Sequence, residues 1–216
     1  PSFAVERAQL MMLILWRLFK ENKIPKVPMI MDSPMGVNML QLFHTTRDWH
    51  RLDTKEYTEM CSHFNIVSSY RETMKLRDDK KPKIVIAGSG MLTGGRMLSY
   101  LETEASNPKN TLLFVGYQAE GTRGRKLLNG EKEFKSYGKW IPFNMQVEEI
   151  EGLSAHADQT ELLDWLSDII ESPKKIFIIH GEKEGAEALK KGSKETYGWD
   201  CQIPQLYDIS EINLNE

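Results

Sequence analysis

Residues 83–117 restrict the possible folds of this chain more than any other segment. Lys83–Ala87 (KIVIA) is a short β-branched run, followed by Gly88-Ser89-Gly90-Met91-Leu92-Thr93-Gly94-Gly95-Arg96 and a helical pattern that continues to about Ala105. Asn107-Pro108 breaks that helix, and Thr111–Tyr117 (TLLFVGY) supplies a second strand. A strand, a helix-length crossover and another strand form the unit of a parallel sheet, because parallel neighbours cannot be joined by a tight hairpin. The segment predicts an α/β fold, a mainly parallel sheet with flanking helices.

The flanks agree. Residues 4–22 place Ala8, Met11, Met12, Leu15 and Phe19 at helical spacing, and Leu13, Ile14 and Trp16 make the helix apolar nearly all round, so it should be covered on most sides. Its apolar run, Leu10–Trp16, has seven residues, far short of the roughly 20 that span a bilayer, so no membrane is expected. Val27–Met31 reads as a buried strand ending in the turn Asp32-Ser33-Pro34, and residues 35–46 read as a helix. Between Asp48 and Lys81 only a helix at 54–62 and a strand at 65–69 are legible. Residues 121–140 are rich in glycine and lysine, and 141–150 alternate like an exposed strand.

A second unit opens near Gly152. Asp158-Gln159-Thr160-Glu161 has capping-box spacing and should start a helix carrying Leu162, Leu163, Trp165, Leu166, Ile169 and Ile170 on one face, ended by Pro173. Lys175–Ile179 then predicts a strand delivering His180 at its carboxyl end, before a charged helix over about 182–197.

Composition removes whole classes. At 216 residues, 40% hydrophobic and 27% charged, with mean hydropathy −0.46, the chain is neither disordered nor collagen-like. Its two cysteines, Cys61 and Cys201, make no CxxC, which argues against a disulfide scaffold and for a reducing, cytoplasmic setting. The net charge of −3 excludes a globally basic nucleic-acid coat but not a local basic groove. Since the chain begins with Pro1, an upstream segment is expected to have been removed.

Four places could carry chemistry. The Gly88–Arg96 loop, between strand and helix, could bring backbone N–H groups and the helix terminus to an anion, with Arg96 adding a phosphate contact. It could equally be a tight connection whose glycines relieve strain; its spacing is not GxGxxG, and no acidic residue ends the next strand. Gly152–Asp158 offers Ser154, His156 and a capping Asp158. His180-Gly181-Glu182 lies at a strand's carboxyl end, where α/β proteins place ligands. Either histidine alone could be an ordinary loop residue, but both at element junctions of one unit favour a shared site. A catalytic zinc takes about three protein ligands, and the five histidines form no HxH or HExxH and have no cysteine cluster beside them, so if there is a metal this chain supplies a minority of its ligands. Finally, residues 122–139 hold Arg123, Arg125, Lys126, Lys132, Lys135 and Lys139 against Glu131 and Glu133, with Tyr137 and Trp140 available for stacking. Such a run is either a solvated face or a wall of a polyanion groove.

Taken together, PSFAVERAQ (Pro1–Gln9), DSPM (Asp32–Met35), AGSGMLTGGR (Ala87–Arg96), FVGYQAEGTRGR (Phe114–Arg125), GLSAHAD (Gly152–Asp158) and IHGE (Ile179–Glu182) resemble the β-CASP branch of metallo-β-lactamase-fold hydrolases, which act on nucleic acids. The nearest flavour is that of prokaryotic metal-dependent RNases related to the pre-mRNA 3′-end cleavage endonuclease. The resemblance implies a β-CASP domain over 1–150 and the C-terminal segment of a metallo-β-lactamase domain over 151–216. It implies an RNA substrate, two zinc ions in the intact protein, and a family tendency to form homodimers. His156 would assist the leaving oxygen, Ser154, Gly94, Arg96 and Arg123 would hold phosphate, and His180 would bind one zinc. The HxHxDH motif and remaining ligands would belong upstream, leaving this piece inactive by itself. Glu6 departs from the family pattern, which has glycine there, so the start of the first helix should differ. Two other classes stay open: a non-catalytic partner subunit, and a nucleotide-binding α/β domain using the glycine loop alone.

Overall fold

The computed structural model describes residues 1–212. The fold is α/β, and the chain divides into two compact units, Pro1–Ser154 and Ala155–Glu216. The first unit runs α1 (Arg7–Lys20), β1 (Met29–Asp32), α2 (Pro34–Thr45), α3 (Thr54–His63), β2 (Phe64–Val67), α4 (Tyr70–Asp78), β3 (Ile84–Ala87), α5 (Gly95–Glu104), β4 (Thr111–Phe114), α6 (Arg123–Leu128), β5 (Glu133–Ser136), β6 (Lys139–Pro142) and β7 (Gln146–Glu149).

β1 lies between β2 and β3, parallel to both. All four of its residues are buried, as a central strand covered on both faces requires. Side chains alternate across a strand, so Met29 and Met31 enter one core with Met11, Met12 and Trp16 of α1 and Met60 of α3. Asp32 turns to the other face, towards α5. There Leu98 and Leu101 of α5 pack with Leu112, Phe114, Leu127, Phe134 and Phe143 in a second core. The expected near-continuous burial of the first helix is found: Met11, Met12 and Trp16 are buried and Leu13, Ile14 and Leu15 are half-buried.

Several expectations change. β4 does not join β3; it pairs in parallel with β7 in a separate two-stranded sheet. The alternating stretch 141–150 is two strands, because the chain leaves the antiparallel β5–β6 hairpin at Pro142, buries Phe143 and resumes at Gln146 beside β4. α4 is a helix whose pattern is too polar to show apolar periodicity, and its only signal is the cap, Ser69 Oγ accepting from the Glu72 amide at 3.3 Å.

At the start of the first helix Glu6 occupies a backbone conformation that favours glycine. Glu6 sits at φ 59°, ψ −48°, and Arg7 N donates to Val5 O at 2.7 Å, closing a γ-turn in the positive-φ region. A Cβ is disfavoured there by roughly 1–2 kcal/mol, partly offset by the greater unfolded-state freedom of glycine. Glu6→Gly is therefore expected to stabilise the unit by about 0.5–1 kcal/mol, read as a Tm increase of about 2–4 °C. An unchanged or lower Tm would show that Glu6 makes a compensating interaction.

The second unit contains α7 (Gln159–Leu166), β8 (Ile176–Phe177), α8 (Lys183–Tyr197) and β9 (Cys201–Gln202), with β8 and β9 parallel. α7 is shorter than expected, so Ile169 and Ile170 lie beyond it, the latter fully exposed. The expected strand at 175–179 contracts to two residues. Gln159 Nε2 donates to Ala188 O at 3.0 Å and Tyr197 Oη donates to Leu163 O at 2.6 Å, tying α7 to α8.

Candidate functional site

β1, β2 and β3 end in register, Asp32 beside Val67 and Ala87, and the Gly88–Arg96 loop springs from this carboxyl edge. The loop folds upon itself. Thr93 N donates to Ser89 Oγ at 3.1 Å, Met97 N to Gly88 O at 2.6 Å, and Leu92 N to Ser89 O at 3.3 Å. Gly95 adopts φ +74°, and a Cβ there would stand 2.6 Å from the Gly88 carbonyl oxygen, so this position requires glycine. At Gly94, by contrast, an added Cβ would meet nothing within 4 Å. Of the two glycines that open α5, one is needed for loop closure and the other faces open space.

Arg96 is engaged by the protein itself. Its Nη1 donates to Thr73 Oγ1 at 3.0 Å and its Nη2 to Ser68 O at 3.1 Å, and the guanidinium lies over the Tyr70 ring at 4.9 Å. Its Nε stands 4.0 Å from Asp32 Oδ1. Asp32 is completely buried, and its Oδ2 accepts a 2.7 Å hydrogen bond from Tyr100 Oη, while Oδ1 has no hydrogen-bond partner. Burial, then the hydrogen bond to this carboxylate, pushes the Tyr100 phenol far above its ordinary range.

Arg123 is likewise a brace. Its Nε donates to Lys135 O and its Nη1 to Leu92 O, both at 2.8 Å. Gln118 Nε2 donates to Gly90 O at 3.0 Å, and Gly124 N to Met91 O at 3.1 Å. The segment 116–124 thus latches the glycine loop, bringing Gly94, Arg96 and Arg123 around one structure. The buried Asp32–Tyr100–Arg96 network was not foreseen as a unit. Its available signal was an acid closing the apolar strand VPMIMD, since such a carboxylate must find partners on folding.

Ser154 is the last residue of the first unit and is exposed; His156 is exposed in the second. Asp158 fulfils its cap role: its Oδ1 accepts from Glu161 N while Glu161 Oε2 accepts from Asp158 N, each at 2.9 Å. His180 is exposed at φ +64°. Each histidine stands two residues ahead of a helix N-cap, Asp158 for α7 and Glu182 for α8. The other histidines have structural surroundings; His50 Nε2 lies 2.8 Å from Phe43 O, and His63 packs edge-on to Phe19. Among the described residues, no three His, Cys, Asp or Glu side chains gather as a metal site. A zinc ion needs about four donors, so these residues alone do not fit one, and His180 can offer a single imidazole. No described helix is long and apolar enough to cross a membrane.

Residues 8–127 match the family model of the Beta-Casp domain, and residues 140–204 match that of the Zn-dependent metallo-hydrolase RNA specificity domain. The chain is 34% identical over 203 residues to ribonuclease TTHA0252 of Thermus thermophilus, covering 88% of this chain and 44% of that protein. It is 36% identical over 226 residues to transcription termination factor FttA of Methanocaldococcus jannaschii, covering 98% of this chain and 35% of that protein. An RNase J-like protein of the same organism is 33% identical over 187 residues, 85% of this chain and 42% of that protein. The chain therefore spans less than half the length of these relatives. With the α/β fold, the two domains in order and a Beta-Casp match over more than half its residues, the chain belongs to the β-CASP family of metallo-β-lactamase-fold hydrolases.

Proposed function

We propose that this chain supplies the β-CASP domain (1–150) and C-terminal metallo-β-lactamase segment (151–216) of a cytoplasmic, zinc-dependent ribonuclease. The observation carrying the reading is the placement of His156 and His180, each exposed in a loop before one of two packed helices, within the segment matching the RNA specificity domain. Relatives named ribonuclease and RNase J-like protein support RNA as the polymer. The retention of both histidines favours a working subunit over a non-catalytic partner.

In this proposal His156 protonates the leaving oxygen as the phosphodiester breaks, a role suited to imidazole because the ring can both donate and accept a proton through its nitrogens. Ser154 and the open position at Gly94 receive phosphate oxygens. Arg96 and Arg123, already bonded to protein acceptors, hold the loop and supply positive charge near it. His180 is one ligand of a two-zinc centre whose other donors lie upstream, and the intact protein works as a homodimer. The 216-residue piece by itself does not cleave RNA.

Zinc content tests the metal assignment. The full-length protein should lose about one zinc per chain on His180→Ala. Full zinc retention by that variant would remove His180 from the metal centre, and zinc-free wild-type protein would overturn the zinc reading. Steady RNA cleavage by residues 1–216 alone, abolished by His156→Ala, would show that the piece is complete enough to act.

A further inference from the structure

We propose that the Arg7 guanidinium binds a backbone phosphate of the RNA substrate. The inference rests on the ribonuclease reading above and adds to it a residue which that reading does not use. Arg96 spends both Nη atoms on Thr73 Oγ1 and Ser68 O, and Arg123 spends Nε and Nη1 on Lys135 O and Leu92 O. Arg7 differs from both. Among the described residues no hydrogen bond and no ion pair reaches its guanidinium, and Nη1 is buried without an acceptor.

Arg7 is the first residue of α1, and the segment before it is anchored on the carboxyl edge of the sheet. Ser2 N donates to Ala87 O at 2.9 Å, at the end of β3, and Ala8 N donates to Phe3 O at 3.1 Å. The Phe3 ring lies against two glycines, since an added Cβ would stand 3.0 Å from it at Gly90 and 3.4 Å at Gly116. Gly90 belongs to the loop after β3 and Gly116 follows β4, so Phe3 marks where the carboxyl ends of both strands meet. Arg7 lies on the Gly116 side, where a Cβ would come within 3.9 Å of its Nε. Glycine puts no side chain there.

A guanidinium withdrawn from water without a partner carries a desolvation cost that a counter-charge offsets. Arg7 is half-buried, and its chain neighbour Glu6 is exposed and makes no side-chain cap bond to α1. The partner that completes Arg7 is therefore an anion. Its fork of N–H donors matches two oxygens of one phosphate. Position selects RNA as the source, because α/β sheets take ligands at the carboxyl edge and the open position at Gly94, in the loop that Phe3 touches, is already proposed to receive a phosphate. A polymer with a phosphate at every nucleotide can occupy both places.

The test uses the full-length protein and a fluorescent, cleavage-resistant phosphorothioate oligouridine, titrated at several salt concentrations. Arg7→Met keeps most of the apolar stem and removes the charge. It should weaken binding on the order of tenfold, and the fall of log K with log[salt] should flatten by about 0.7, the share of one single-strand phosphate contact. Arg7→Lys should keep the salt slope, because the charge stays, with an affinity between those of Arg7→Met and the wild type. Neither variant should lower Tm, since Arg7 holds no acceptor within the protein. At matched ionic strength, inorganic phosphate equal in concentration to the phosphates of the oligouridine should not displace it. Affinity and salt slope unchanged in Arg7→Met would overturn the assignment, as would a lowered Tm with the slope unchanged. A slope that flattens equally in Arg7→Lys, or displacement by inorganic phosphate, would also overturn it. Wild-type protein that neither binds nor cleaves RNA would defeat the ribonuclease reading itself; wild-type protein that does both while Arg7→Met proves indifferent defeats the Arg7 assignment alone.

Discussion

Replacing His156 by alanine in the full-length protein should slow RNA cleavage by about 10²–10⁴-fold, the usual contribution of one positioned general acid. The side chain is exposed and lies outside α7, so its removal leaves the helix start intact. The cap is carried by Asp158 and Glu161, whose reciprocal hydrogen bonds do not involve His156. The loss should therefore appear in the single-turnover rate, with zinc content as in the wild type. This separates it from His180→Ala, for which metal is lost as well. A single-turnover rate within tenfold of wild type would remove His156 from the acid role. A loss of zinc would reassign it to the metal centre.

Asp32→Ala should destabilise the first unit by about 3–5 kcal/mol, the cost of removing one partner from a buried charged pair. The carboxylate has no access to solvent, and its loss leaves the Tyr100 hydroxyl without an acceptor and the Arg96 guanidinium without its nearest acid. With a urea m-value of roughly 2 kcal/mol/M, the unfolding midpoint should fall by about 1.5–2.5 M. Tyr100→Phe, which removes one hydrogen bond to a charged group, should cost about 1.5–3 kcal/mol. Because folding raises the Tyr100 pKa, its contribution is full below the unfolded value of about 10 and declines as pH rises above it. A midpoint for Asp32→Ala within 0.5 M of wild type would show that the network does not hold α5 to β1.

Much of the fold was legible because its signals are local. The caps at Ser33, Asp53 and Asp158 act on amides three residues away, and the helices they begin fall close to where periodicity placed them. The apolar strands β1 and β3 announce a sheet covered on both faces. α4 escaped because a surface helix with one buried residue, Thr73, has almost no apolar stripe to read. Strand partners escaped for a different reason: β4 is as apolar as β3, and nothing in its residues says that it will pair with β7, 30-odd positions further on.

The same division runs through the candidate site. From residue type and spacing alone came the glycine loop and the two histidines at element junctions, while the departure at Glu6 came from the family resemblance. These depend on chemistry carried by one or a few neighbouring residues. Only the tertiary structure decided that Arg96 and Arg123 are braces, because their acceptors, Ser68, Thr73, Leu92 and Lys135, lie 12 to 31 residues away in the chain. It also decided that Asp32, far from Tyr100 in sequence, would be buried against its hydroxyl. A guanidinium's charge is a property of the sequence, whereas the acceptors left for it after folding are a property of how distant segments meet.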